Sequence, residues 1–336
     1  MNVGITFDLR SDYLALGMGE EETAEFDRGE TIEHIEAALV ALGHTPVRIG
    51  NIRALVTALA AGERWDVVFN ICEGVSGYGR EAQVPGLLEA YGIPCTFADP
   101  LTASLTLHKG LAKRVLRDAG VPTTPFALVS GIEDVESVSL PFPLFCKPVA
   151  EGTAKGIHPR SRVLNSIDLH VVCSELLGRY RQPVLVEPFL PGREFTTAIV
   201  GEGDSAEVIG TMEIVLLAGV AESHAYTYLN KEESEERVDL PLADPVSAAA
   251  CAEVALAAWR ALGCRDAGRI DMRMDAQGRL MVMEANPLPG MHAFHSDLPI
   301  ICAKVGLPYE GLVGRIVDAA AARAPQWASV RALGAA

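Results

Sequence analysis

Apolar positions along the first hundred residues follow two alternating periods. Residues 3–7 form a short apolar run, and residues 30–44 carry apolar side chains at helical spacing, with Gly43 placed to end the helix. Residues 46–50 read as extended, 51–61 as a helix, 65–71 as an apolar strand, 81–92 as a helix and 94–98 as extended. Strands that alternate with helices at this spacing imply a parallel sheet covered on both faces. Ligands of such sheets bind beyond the carboxyl ends of the strands, which puts loops 8–29 and 72–80 at the working edge.

The pattern then changes. Residues 109–120 read as a helix stopped by Gly120, and 126–130, 144–149 and 184–190 as strands, with a helical stretch at 166–180. Residues 193–201 and 206–216 have the alternation of an antiparallel pair. Residues 217–243 are polar and poor in core formers, as expected of a loop or lid. A strong helix follows over 243–263, with Asp244 as its cap and Gly263 as its stop, and residues 298–324 form a helical tail.

Between these helices, two strand-like runs flank Ala276-Gln277-Gly278, the pattern of a β-hairpin over 268–290. With a period of two, Ile270, Met272 and Met274 share one face, and Arg269, Asp271, Arg273 and Asp275 the other. On the return strand the same period puts Leu280, Val282, Glu284 and Asn286 on one face, so Asp271, Glu284 and Asn286 converge at one end of the hairpin. Three hard oxygen ligands on a rigid strand pair suit Mg²⁺, which takes its remaining ligands from water and phosphate. The turn at 287–290 can present backbone N–H groups beside them.

Length and composition narrow the class. A chain of 336 residues with 49% apolar content has two or three domains and a substantial core. The 28 Lys and Arg against 44 Asp and Glu leave a net charge of −16, which excludes a nucleic-acid reader working by phosphate neutralisation. Seven scattered cysteines, mostly in apolar stretches, read as core residues in a reducing compartment. No basic and apolar leader opens the sequence and no apolar run is long enough to span a bilayer, so a cytoplasmic, non-membrane protein is expected.

One lysine stands out. Lys147 ends an apolar strand, where burial without an anionic partner is costly, and a turn bearing Glu151, Gly152, Thr153, Lys155 and Gly156 follows it. The P-loop, dinucleotide, nucleophile-elbow and zincin motifs are all absent.

Taken in order, Lys109, residues 147–156, residues 186–196, Lys231, residues 268–271 and residues 283–291 resemble the D-alanine–D-alanine ligases of the ATP-grasp superfamily. That resemblance implies an α/β (α+β) ATP-grasp fold of three subdomains: an N-terminal parallel-sheet domain at 1–107, a central one at 108–187 and a C-terminal one at 188–336. It implies Lys109, Lys147 and Thr153 on the ATP phosphates, Glu187 with the backbones of Phe189 and Leu190 on adenine, and Glu194 on the ribose. Lys231 would reach the γ-phosphate, and Asp271, Glu284 and Asn286 would hold two Mg²⁺ ions, with Mn²⁺ as the alternative. Arg269 and the Gly290 amide would stabilise the oxyanion, and Ser296 would hold the carboxylate of the second amino acid. The partners implied are small amino acids and a second copy in a homodimer.

The departures from the family pattern cluster on the amino-acid side. The N-terminal loop is long and acidic, with Glu25 as the candidate substrate-binding carboxylate and Glu20, Glu21 and Glu22 as alternatives. Glu73 stands where the family has a histidine, Thr153-Ala154 replaces a Ser-Ser pair, and Glu232 follows Lys231 where a tyrosine is common, with Tyr226 and Tyr228 nearby. Either Glu73 and Glu232 favour a substrate with an extra cationic group, or they pair with Arg80, Lys155 or Lys231. His292 and His295 flank the turn before Ser296 and are candidates for the second-substrate pocket; the other histidines lack metal-ligand spacing. The rival readings are another peptide or amide ligase of the superfamily and a non-catalytic ATP-binding module.

Overall fold

The computed structural model describes residues 1–217 and 237–323, which form three sheets with helices packed on them. The first sheet contains β1 (Asn2–Phe7), β2 (Thr45–Gly50) and β3 (Val67–Ile71) in the order β2-β1-β3, all parallel. Its connections carry α1 (Arg10–Ala15), α2 (Gly29–Ala41) and α3 (Ile52–Ala60), and α4 (Gln83–Ala90) follows β3. Strand alternation sorts the core: Val67, Phe69 and Ile71 pack with Ile35 and Leu39 of α2, while Val68 and Cys72 pack with Leu55 of α3 and Leu88 of α4. Both faces are therefore covered, as the sequence predicts. The extended segment at 94–98 contributes a single parallel bridge, Val68 to Cys95, before Phe97 adopts a φ of 67°.

After α5 (Pro100–Leu107) and α6 (Lys109–Asp118), the chain builds an antiparallel sheet from β4 (Ala127–Val129), β5 (Leu144–Pro148), β6 (Arg162–Val163) and β7 (Val184–Pro188), in the order β4-β7-β5-β6. The helix α7 (Ser166–Tyr180) lays Leu169, Val172 and Leu176 on it. The third sheet is β10-β9-β8-β11-β12, with β8 (Glu194–Val200), β9 (Glu207–Leu216), β10 (Val238–Asp239), β11 (Ala267–Met274) and β12 (Leu280–Asn286) antiparallel throughout. One face takes α8 (Pro245–Ala261), whose cap Asp244 accepts from the amides of Val246 and Ser247 at 3.1 and 3.0 Å.

The expected tail helix is two helices, α9 (Asp297–Lys304) and α10 (Tyr309–Ala322), because Gly306 and Pro308 interrupt it. These helices cover the other face of the third sheet and also reach the first: Val3, Ile5, Met212, Leu298, Ile316 and Val317 share one apolar cluster. No helix among the described residues is long and apolar enough to cross a membrane.

The hairpin β11–β12 departs from simple alternation. Asp271 pairs with Glu284 but Met272 pairs with Val282, so Met283 is an extra residue in a β-bulge. Leu280 and Val282 therefore face the core, at 8% and 0% exposure, while Glu284 and Asn286 face the cleft beside Asp271 and Arg269. The expectation that all four share one face is corrected by that single residue.

Candidate active site

At the open end of the hairpin, Asn286 donates from Nδ2 to Asp271 Oδ2 at 2.9 Å. Arg269 Nε lies 3.3 Å from Asp271 Oδ1 and 3.4 Å from Asp297 Oδ2 at the start of α9. Burial raises the Asp271 carboxyl above its ordinary range; Arg269 opposes this, while Glu284 and Asp297 push it further. Asp271 Oδ1 is buried without a hydrogen bond among the described residues. No group of three or more His, Cys, Asp or Glu side chains among them is arranged to hold a metal alone. Two carboxylates and an amide oxygen suit an ion that completes its shell with phosphate and water, and the orphaned oxygen fits such an ion.

Lys147 on β5 is buried, and its partner is Glu187 on β7, with Nζ 3.1 Å from Oε1. The other oxygen, Oε2, is 2.8 Å from the Nζ of Lys113 on α6. Burial by itself would push the Glu187 carboxyl up, but the two ammonium groups outweigh it and hold it well below the ordinary range. Lys113 was not singled out from the sequence. The signal was there: Lys109 and Lys113 are one helical turn apart on the face of α6 that buries Ala112 and Leu116. Lys109 Nζ donates to the Glu151 carbonyl at 2.5 Å and lies 3.4 Å from Glu284 Oε2. Glu194 pairs with Arg273 at 3.1 Å. The Phe189 amide donates to Pro143 O at 2.9 Å.

The N-terminal loop resolves its glutamates. Glu20 pairs with Arg10, Glu21 with Arg179 and Tyr180, and Glu22 accepts from the Gly19 amide. Glu25 alone reaches the phosphate-type turn, where it accepts from the Gly152 amide, from Lys155 at 2.8 Å and from Arg80 at 2.9 Å. A Cβ on residue 152 would lie 2.5 Å from Glu25 Oε1, so this approach requires glycine. Thr153 and Ala154, next in the turn, have φ of 49° and 55°. Arg80 also pairs with Glu81 at 3.3 Å, but it meets Glu73 only through that residue's carbonyl. The Glu73 carboxylate makes no ion pair among the described residues. Burial, then the neighbouring Glu81 and Glu25, raise it well above the ordinary range.

These walls enclose two adjoining cavities. The larger, about 700 Å³, is lined by Glu25, Glu73, Lys109, Gly290 and Ser296 among others. His292 and His295 line it as well, and the Ser296 hydroxyl accepts from the His292 amide at 3.0 Å. The smaller, about 130 Å³, is lined by Lys147, Glu187, Phe189, Leu190, Glu194 and Asp271. Thr153, Arg269, Glu284 and Asp297 belong to both walls. Asp297 is a site residue the sequence pattern does not mark, because it sits at an element boundary, whereas Arg273 lies on the Asp271 face that strand alternation predicts. Lys231, Glu232, Tyr226 and Tyr228 lie outside the described residues.

Residues 115–318 match the family model described as D-ala D-ala ligase C-terminus. A protein from Bordetella petrii called D-alanine–D-alanine ligase is 35% identical over 278 residues, 81% of this chain and 80% of its own. A namesake from Xylella fastidiosa is 33% identical over 80% of this chain and 86% of its own. Among solved structures, a D-alanine–D-alanine ligase from Bacillus anthracis complexed with ATP superposes with a TM-score of 0.73 at 21% identity, covering 97% of this chain and 99% of that one. With the hairpin carboxylates, the paired lysines and the two joined cavities, these similarities establish that the chain belongs to the D-alanine–D-alanine ligase family.

Proposed function

We propose that this protein is an ATP-dependent ligase that joins the carboxylate of one amino acid to the amine of another through an acyl phosphate. The observation that supports it most is the shared wall: a phosphate-side cavity and a larger acidic cavity meet at Arg269 and Glu284. In this reading ATP occupies the smaller cavity, with Lys147 and Thr153 on its phosphates and Lys109 reaching them from the larger cavity, Glu187, Phe189 and Leu190 at adenine and Glu194 at the ribose.

A carboxylate is a poor acyl donor. Transfer of the γ-phosphoryl group breaks its bond to ADP and forms a P–O bond to the carboxylate oxygen; the amine then attacks the carbonyl carbon, gives up a proton, and phosphate leaves. Both steps concentrate negative charge beside Arg269, and the guanidinium with the Gly290 amide would take it up. Two Mg²⁺ ions, or Mn²⁺ in their place, held by Asp271, Glu284 and Asn286, would supply charge neutralisation on the phosphates. Ser296, beside Gly290, would hold the carboxylate of the second amino acid, and Lys231 the γ-phosphate.

A second reading concerns the substrates. Glu73 lines the larger cavity with no cation among the described residues paired to its carboxylate, which favours an amino acid bearing an extra positive group over plain alanine. The test is phosphate release with ATP and Mg²⁺ across D- and L-amino acids, followed by product mass. No release with any pair would refute the ligase. Equal kcat/KM for D-alanine and for cationic amino acids, in the wild type and in Glu73→Gln, would refute the cationic preference alone.

A further inference from the structure

Lys113 does not line either cavity, yet it is 1% exposed, with Val282 O 3.5 Å from its ammonium and three closer polar contacts. They are Glu187 Oε2 at 2.8 Å, Thr123 Oγ1 at 2.8 Å and Thr124 Oγ1 at 2.9 Å. The hydroxyls around it suit an ammonium beside a carboxylate. The Thr123 hydroxyl donates to Val282 O at 2.9 Å, and the Thr124 hydroxyl donates to Glu187 Oε2. Each hydroxyl has one proton, so both must accept from Lys113. With Lys113 as the ammonium and Glu187 as the carboxylate, three N–H groups and the acceptors around them are all matched.

The group facing the smaller cavity is thus two cations sharing one anion: Lys113, Glu187 and Lys147. Without Lys113, the Glu187 carboxylate would be matched to Lys147 alone and that pair would carry no net charge. With it, one positive charge is left over, and Lys147 is the member of the trio that lines the cavity with Glu187. We infer that Lys113 is a positioning residue for the nucleotide: by sharing the charge of Glu187 it keeps Lys147 electrostatically available to a polyphosphate. This rests on ATP occupying the smaller cavity, as proposed above.

The inference makes a charge-counting prediction that a structural role does not. Calorimetric titration with ATP and with adenosine, each in Mg²⁺, gives an affinity ratio that isolates the phosphates from the base. Lys113→Met is expected to lower that ratio by about tenfold, because a buried charge acts at short range in a weakly screening medium. Lys113→Arg should hold the ratio near the wild-type value. Glu187→Gln should raise it, and the double variant Lys113→Met/Glu187→Gln, which restores one net positive charge, should recover it. If Lys113→Met is too unstable to titrate, Glu187→Gln against the double variant still carries the comparison. An unchanged ratio in Glu187→Gln and the double variant, or equal weakening of ATP and adenosine in Lys113→Met, would overturn the role of Lys113. Failure of the wild type to bind ATP at all would instead remove the nucleotide reading on which it stands, and the inference with it.

Discussion

At the scale of single residues, the same amino acid serves different ends according to what surrounds it. Glu187 and Glu73 are both glutamates in a cavity wall, but two lysines drive the first well below its ordinary range while burial and two other carboxylates drive the second well above it. For Glu187 this has a sign. Its unfolded carboxyl titrates at about 4.3, and its folded one lower, so the pairing stabilises fully above that value and is lost as pH falls toward the folded pKa. Urea midpoints measured from pH 6 down to pH 3 should fall, and Glu187→Gln should flatten part of that slope. An identical slope in the variant would show that the pairing is not what titrates. Arg269 lies against Asp271 and Asp297 at the junction of the cavities, where negative charge would develop. Arg269→Ala is expected to cost about 10²–10³ in kcat with ATP affinity largely kept, which single-turnover rates and a binding titration would separate. These residue types were legible in the sequence, as was their grouping. The sharing of Glu187 by Lys147 and Lys113 was not, because Glu187 lies on a strand 40 positions from Lys147 and 74 from Lys113 on a helix.

At the scale of elements, the hairpin shows how one residue redirects a site. Strict alternation would have buried Glu284 and Asn286 with Leu280 and Val282, or exposed all four. The bulge at Met283 turns the acidic end to the cleft and keeps the aliphatic end in the core. A bulge leaves no composition signal here, since Met283 is an ordinary strand residue. The hairpin also depends on a close approach at Gly268, where a Cβ would collide with the Asn286 carbonyl and the Trp259 ring of α8. Gly268→Ala is therefore expected to destabilise by about 1–3 kcal/mol through overpacking. It should also weaken Mg²⁺ activation by shifting Asn286. A thermal midpoint with a Mg²⁺ titration checks both, and an unchanged midpoint would mean that β12 yields without cost.

At the scale of the whole molecule, the segment after the first sheet meets the last described helix. Asp266, 1% exposed, accepts from the Phe97 amide at 2.7 Å and pairs with Arg323 at the end of α10, while Arg323 also donates to Cys95 O at 3.0 Å. The clasp ties the segment after the first sheet to the third sheet and the last described helix. Removing one member of a buried pair strands the other, so Asp266→Ala is expected to cost about 3 kcal/mol and to speed proteolysis near residue 97; an unaltered unfolding midpoint would refute it. By itself the sequence determined what depends on local period and on residue chemistry: which segments are strands and helices, the parallel first sheet, the hairpin and the ligand types on it. Those follow from patterns only a few residues long. Tertiary structure decided the rest: that Glu25 rather than Glu20, Glu21 or Glu22 faces the cleft, that α9 and α10 close the first sheet, and that Lys113 charges the wall behind Lys147. Each of these joins residues far apart in the chain, and only packing of the whole core fixes their distance.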